Sequence, residues 1–244
     1  MSLSNPHESQ PNPAKRWFEW NGERGEVLYY DKAAKKNVVV AQPFTFIVLD
    51  ELSSVRGWHD SSQSGIYSNE VKDTRTEILT VKAFKGGTLA EGIYRDIKDR
   101  VNSVGGHYSA NCYLAFKDGD GLAIGAMRFK GAALASWMEF KKANKKEFYE
   151  KAVTINGFTE GKKGRITYRM PKFAITPISA ATMSTCVDLD KELQAFLSSY
   201  LSRNKHDQAE ATQQPAPRRD ENDPSLDPSL ADDDFMADTS DVPF

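Results

Sequence analysis

Cysteine is scarce in this chain of 244 residues: Cys112 and Cys186 are the only two. Two thiols make at most one bridge, so no disulfide framework holds the fold. Histidine is scarce as well, and His7, His59, His107 and His206 stand far apart. With one cysteine in a predicted core strand, that is poor material for a zinc site. No apolar run reaches the length of a membrane span. The N-terminus, MSLSNPHESQPNPAKRW, lacks the apolar stretch of a signal peptide. The expectation is a soluble protein of a reducing, intracellular compartment. Catalytic patterns are missing too. No Gly-rich loop runs into Lys-Ser or Lys-Thr, and Gly86-Gly87 and Gly105-Gly106 read as punctuation around a helix. Asp118 and Asp120 have no later Glu at calcium-loop spacing, and a tight turn explains them. Asp50 and Glu51 are adjacent, so on a strand they face opposite ways. The expectation is a protein that is not an enzyme and uses no cofactor and no metal.

Charge is present in quantity but unevenly placed. The whole chain has a net charge of −2. Residues 1–202 carry 28 basic and 23 acidic residues, net +5, whereas residues 203–244 carry 4 and 11, net −7. The pattern divides the chain into a disordered lead-in (1–14), a folded body (15–202) and a disordered acidic tail (203–244) rich in Pro, Gln and Asp.

The body is strand-rich. Phe44–Leu49, Gly65–Val71 and Glu77–Phe84 read as strands. Leu89, Ile93, Ile97 and Val101 recur every fourth residue and predict a helix over Leu89–Val104. Tyr108, Ala110, Cys112, Leu114 and Phe116 then alternate with Ser109, Asn111, Tyr113 and Lys117. Asp118-Gly119-Asp120-Gly121 turns the chain into a return strand, Leu122–Lys130. A second helix over 131–146, a hairpin of Lys151–Phe158 with Arg165–Ile175, and a helix over Asp188–Leu201 capped by Asp188 complete the pattern. The predicted fold is mainly β: an elaborated, partly open barrel covered by inserted and C-terminal helices.

Rings and cations interleave on these strands. Arg56 and Trp58 share a strand face; so do Lys82 and Phe84, Arg128 and Lys130, and Arg165 and Arg169. Tyr113 lies on the polar side of its strand. Such a surface suits single-stranded nucleic acid, because a ring stacks on an unpaired base while a cation holds the phosphate. Lys141, Lys142, Lys145 and Lys146 on the second helix, and Lys162, Lys163 and Arg165 at a hairpin tip, add basic edges. Trp17, Phe18 and Trp20 read better as a seal on the end of a barrel than as stacking rings.

The chain ends in ADDDFMADTSDVPF. Phe244 joins a large ring to a free carboxylate, and Pro243 restricts the chain just before it. A partner pocket with a basic rim can take both, with Asp238, Asp241 and Val242 contributing. This ending resembles the acidic tip of the bacterial single-stranded-DNA-binding proteins, which close in several Asp, an apolar residue, Pro and Phe. The body is similar to the divergent single-stranded-DNA-binding proteins of tailed bacteriophages. That resemblance implies an elaborated OB fold and sequence-independent binding of single-stranded DNA in phage replication and recombination. It also implies recruitment of phage or host replication, recombination and repair proteins through the tip, in the cytoplasm of a bacterial host. The residues leave three other readings open: a protein–protein adaptor, a virion component, or an RNA-binding or strand-annealing protein. They also leave open whether the chain forms a homo-oligomer.

Overall fold

A computed structural model describes residues 11–211, with side chains described to residue 202. The chain begins with β1 (Arg16–Asn21), β2 (Glu26–Asp31) and β3 (Lys36–Val40). The side-chain carboxyl or amide oxygens of Asn21 and Asp31 accept backbone N–H bonds from the residues just after them, which makes both turns tight. Next come β4 (Phe44–His59), β5 (Ser64–Ser68), β6 (Ile78–Ala83) and β7 (Gly87–Ile93). α1 (Tyr94–Ser103), β8 (Gly106–Asp118), β9 (Gly121–Phe129) and α2 (Gly131–Ala143) follow, then the hairpin β10 (Ala152–Lys163) and β11 (Ile166–Thr176), and finally α3 (Ala180–Ala211).

The strands form one 11-stranded sheet in the order β3-β2-β1-β9-β8-β4-β5-β6-β7. The β10–β11 hairpin branches from it where Val153–Ile155 pair with Phe44–Phe46. β1 lies parallel to β9 and the other ladders are antiparallel, so the sheet is mixed. The expectation of an OB-like barrel is overturned, because the sheet does not close. Its path ends at β3 on one side and β7 on the other, and β11 ladders only with β10. β11 meets β1 and the β1–β2 turn only through isolated bonds of Arg169: its N–H to Gly22 O (2.8 Å), its carbonyl from Trp20 Nε1–H (2.8 Å), and its guanidinium to Glu23 O. Closure is unnecessary because other elements bury the inner face. Phe18, Val27, Phe46, Val55, Leu114, Met127 and Phe129 join the helical residues Ile97, Val101, Leu134 and Trp137 in one apolar cluster. Trp137 stacks on Phe129 at 4.4 Å and donates its indole N–H to Glu51 (2.7 Å).

Two helix expectations shift. Leu89–Ile93 belongs to β7 rather than to a helix, because the chain returns antiparallel to β6 after Gly86-Gly87 before α1 begins. α3 starts well before Asp188, with Ser179 Oγ accepting the Thr182 N–H (3.1 Å) as its cap, and Asp188 instead pairs with Lys191 (2.8 Å). Phe18 and Trp20 are core residues, whereas Trp17 faces out and is 41% exposed.

Candidate nucleic-acid interface

β4 determines what the outer face of the sheet carries. Its first half sends Phe46 and Val48 inward, opposite Phe116 and Leu114 of β8. The register then slips between Val48 and Asp50, which is a β-bulge. Beyond it, Asp50, Leu52, Ser54 and Arg56 face outward, opposite Tyr113, Asn111, Ser109 and His107. Without that extra residue, Arg56 would share the core-facing parity of Phe46.

The ladder stays in register through Gly57, which pairs with Gly106 on one side and Ile66 on the other, so Trp58 keeps the facing of Arg56. Glycine is required there: a Cβ on Gly57 would stand 2.0 Å from the Gly105 carbonyl oxygen. Arg56 pairs with Tyr67 of β5, and Tyr67 with Lys82 of β6. Arg56, Tyr67 and Lys82 therefore form one row across three strands. Trp58 stands opposite Gly65, which has no side chain to cover the indole. The Phe84 N–H bonds the same Gly65 carbonyl (3.0 Å), which keeps that ring beside β5. On the other flank Asn111 pairs with Arg128, and Arg128 with Glu19. Arg56, Trp58, Tyr67, Lys82, Phe84, His107, Arg128 and Lys130 are all half-buried.

Beneath the two arginines lies a polar network. Ser54 and Ser109 share a hydrogen bond (2.9 Å), and Asn111 donates to Ser54 Oγ (3.0 Å). Arg128 Nε donates to Asn111 Oδ1 (3.2 Å), and the same Asn111 amide donates to the Glu70 carboxylate. Glu70 is 5% exposed. Burial pushes its carboxyl above the ordinary glutamate value, while the charges of Arg56 and Arg128 and the bonds from Asn111 and Tyr113 oppose that shift.

The remaining sequence candidates are placed differently. Tyr113 faces outward by parity but is 1% exposed, because α3 covers it with Leu193, Phe196 and Leu197. It meets Trp17 edge-on at 6.2 Å and its hydroxyl points to Glu70 (3.5 Å), so its ring is not presented to a base. Burial raises its phenol well above the usual range. Lys130 pairs with Glu19 (3.0 Å). Arg165 is exposed at the β10–β11 turn. Arg169 pairs with Glu160 (3.1 Å), covers the Phe158 ring and donates to the Glu23 carbonyl, which ties it to the β1–β2 turn and away from the row. Lys141 is engaged by Glu51. Asp238, Asp241, Val242, Pro243 and Phe244 lie outside the described residues.

The sequence did not assign Tyr67, His107, Asn111 or Glu70 to this face's site. Tyr67 alternates with buried Ile66 and Ser68 in a short strand, a signal that was present. Glu70 had none, since its place depends on the bridge between Val71 and Ser53. Among the described residues no group of His, Cys, Asp and Glu is arranged to hold a metal ion, and no helix is long and apolar enough to cross a membrane. Comparison with protein-family models, with curated proteins and with solved structures finds no match for this chain.

Proposed function

We propose that the chain binds single-stranded DNA without sequence preference, on the half of the outer sheet face that α3 leaves open. The observation that carries the reading is the register that aligns Arg56, Tyr67 and Lys82 across β4, β5 and β6, with Trp58 and Phe84 alongside. Cations on alternate strands can hold separate phosphates of one backbone, and rings between and beside them stack on unpaired bases. A duplex hides its bases, so the rings favour a single strand. The acidic ending would recruit replication, recombination or repair proteins through Phe244 and its carboxylate, in keeping with a phage protein at work in the cytoplasm of a bacterial host. The protein would act by binding, without catalysis.

Titration of the full chain with oligo-dT, followed by tryptophan fluorescence, tests this. Quenching at micromolar concentration or below, weakening steeply with added salt and weaker for blunt duplex, is the expected result. Silence would favour an adaptor or virion role, and equal response to rU would move the reading to RNA. A separate pull-down from bacterial lysate tests the tip. Deleting Phe244, or adding one Gly after it, should abolish partner capture and leave oligo-dT binding intact.

A further inference from the structure

We propose that Glu70 is a built-in counter-charge for the outer face, one that a backbone phosphate of the bound strand supplants at Arg56 and Arg128. The inference rests on the single-stranded DNA reading above and concerns how that same site is regulated. The backbone places Glu70. Ser53 and Val71 exchange two backbone bonds (2.8 and 2.9 Å), and Val71 turns into the inner core, so the preceding Glu70 falls on the outer side next to Ser54. There the carboxylate lies almost fully buried, near the Arg56 and Arg128 side chains. Asn111 joins it physically to Arg128, donating to Glu70 and accepting from the guanidinium. Arg56 and Arg128 both act on it through their charge.

A stabilising role alone is a poor explanation of this carboxylate. Burying it costs desolvation that an apolar residue of the same size would avoid. A guanidinium binds a phosphate as readily as a carboxylate, so a phosphate at Arg56 and Arg128 would neutralise the charge that Glu70 offsets in the free protein. In the free protein Glu70 offsets one positive charge of the face and, through Asn111, helps to hold the Arg128 guanidinium. In the complex the phosphate takes over that role. Lys130 has its own acid in Glu19, so the charges that Glu70 offsets are those of Arg56 and Arg128.

The test is Glu70→Gln in the full chain, which keeps the volume and an acceptor for Asn111 and removes the charge. Anisotropy with labelled oligo-dT at about 0.1 M salt should show about five- to tenfold tighter binding. The gain should shrink as salt rises. It should also vanish when Arg56→Gln and Arg128→Gln are present, an outcome that a purely structural Glu70 would not produce. Equal or weaker binding by folded Glu70→Gln, with wild type binding normally, overturns the inference and leaves the binding reading standing. If neither wild type nor Glu70→Gln binds, the reading falls and the inference with it. Should Glu70→Gln fail to fold, the wild-type protein still decides. The Nε–Hε NMR signals of Arg56 and Arg128 should both shift on saturation with oligo-dT, and signals that stay put overturn the exchange.

Discussion

The outer face of the sheet has two halves built from the same strands, and they differ in what lies above them. Under α3, Leu52, Tyr113, Ile124 and Ala126 pack against Leu193, Phe196 and Leu197. A few residues along the same β4, β8 and β9, the same facing carries Ser54, Arg56, Ser109, Asn111 and Arg128. One half completes a core; in the other Arg56 and Arg128 lie half-buried beside the buried Ser54, Ser109 and Asn111. Parity along a strand thus says which face a residue is on, but not whether that face meets solvent or a helix.

The comparison breaks most readily at its covered half. Leu197→Ala should cost about 2–5 kcal/mol through the lost burial and the cavity left behind, and Tyr113→Ala about 3–5 kcal/mol. Thermal melts should show both, while the surviving folded Tyr113→Ala protein keeps its affinity for oligo-dT. A Tyr113→Ala variant with unchanged melting temperature and weakened binding would reverse the assignment of the two halves.

The open half should respond the other way. Trp58→Ala and Phe84→Ala should each weaken oligo-dT binding by about 1–3 kcal/mol if the ring stacks on a base, with little change in melting temperature. Arg56→Gln should weaken binding and flatten the dependence on salt by about one phosphate's worth, read as the slope of log affinity against log salt. Wild-type affinity in all three would remove the open half from the site.

A smaller effect concerns Glu70, which sits where the halves meet. Its carboxyl is raised in the folded state, so the folded protein holds its proton more tightly than the unfolded chain does. Its contribution to stability is therefore full below the ordinary glutamate value of 4.5 and is lost as pH rises through the higher folded value. Glu70→Gln does not titrate. Its melting temperature should consequently gain on that of wild type as pH rises from about 4.5, and parallel curves across that range would contradict the burial argument.

Much of the site's material was legible in advance. Alternation along Tyr108–Lys117 separated Cys112 and Leu114 of the inner core from Ser109 and Asn111 on the other face, because successive side chains of a strand point to opposite faces, although both faces of β8 are buried. The pairings of Arg56 with Trp58 and of Arg128 with Lys130 follow from the same rule. The rule fails for Tyr113, since α3 comes from a distant part of the chain and carries no local sign of where it will lie. It fails for Arg169, whose guanidinium is drawn to Glu160 and the β1–β2 turn. The barrel was read from strand number and covering helices, yet an open sheet whose apolar face is sealed by α1, α2 and a branching hairpin produces the same pattern.

Local chemistry in the sequence by itself determined that the body is mainly β, that turns fall at Gly86-Gly87 and Asp118–Gly121, and that cations and rings occupy matching strand positions. These depend on period, turn residues and charge, which act over a few residues. Only the tertiary structure decided that Arg56 faces out although Phe46, of the same parity, faces in. One bulged residue between Val48 and Asp50 inverts every facing after it. Only the tertiary structure brought Glu70 beneath two arginines and placed α3 over Tyr113, because both depend on contacts between segments far apart in the chain.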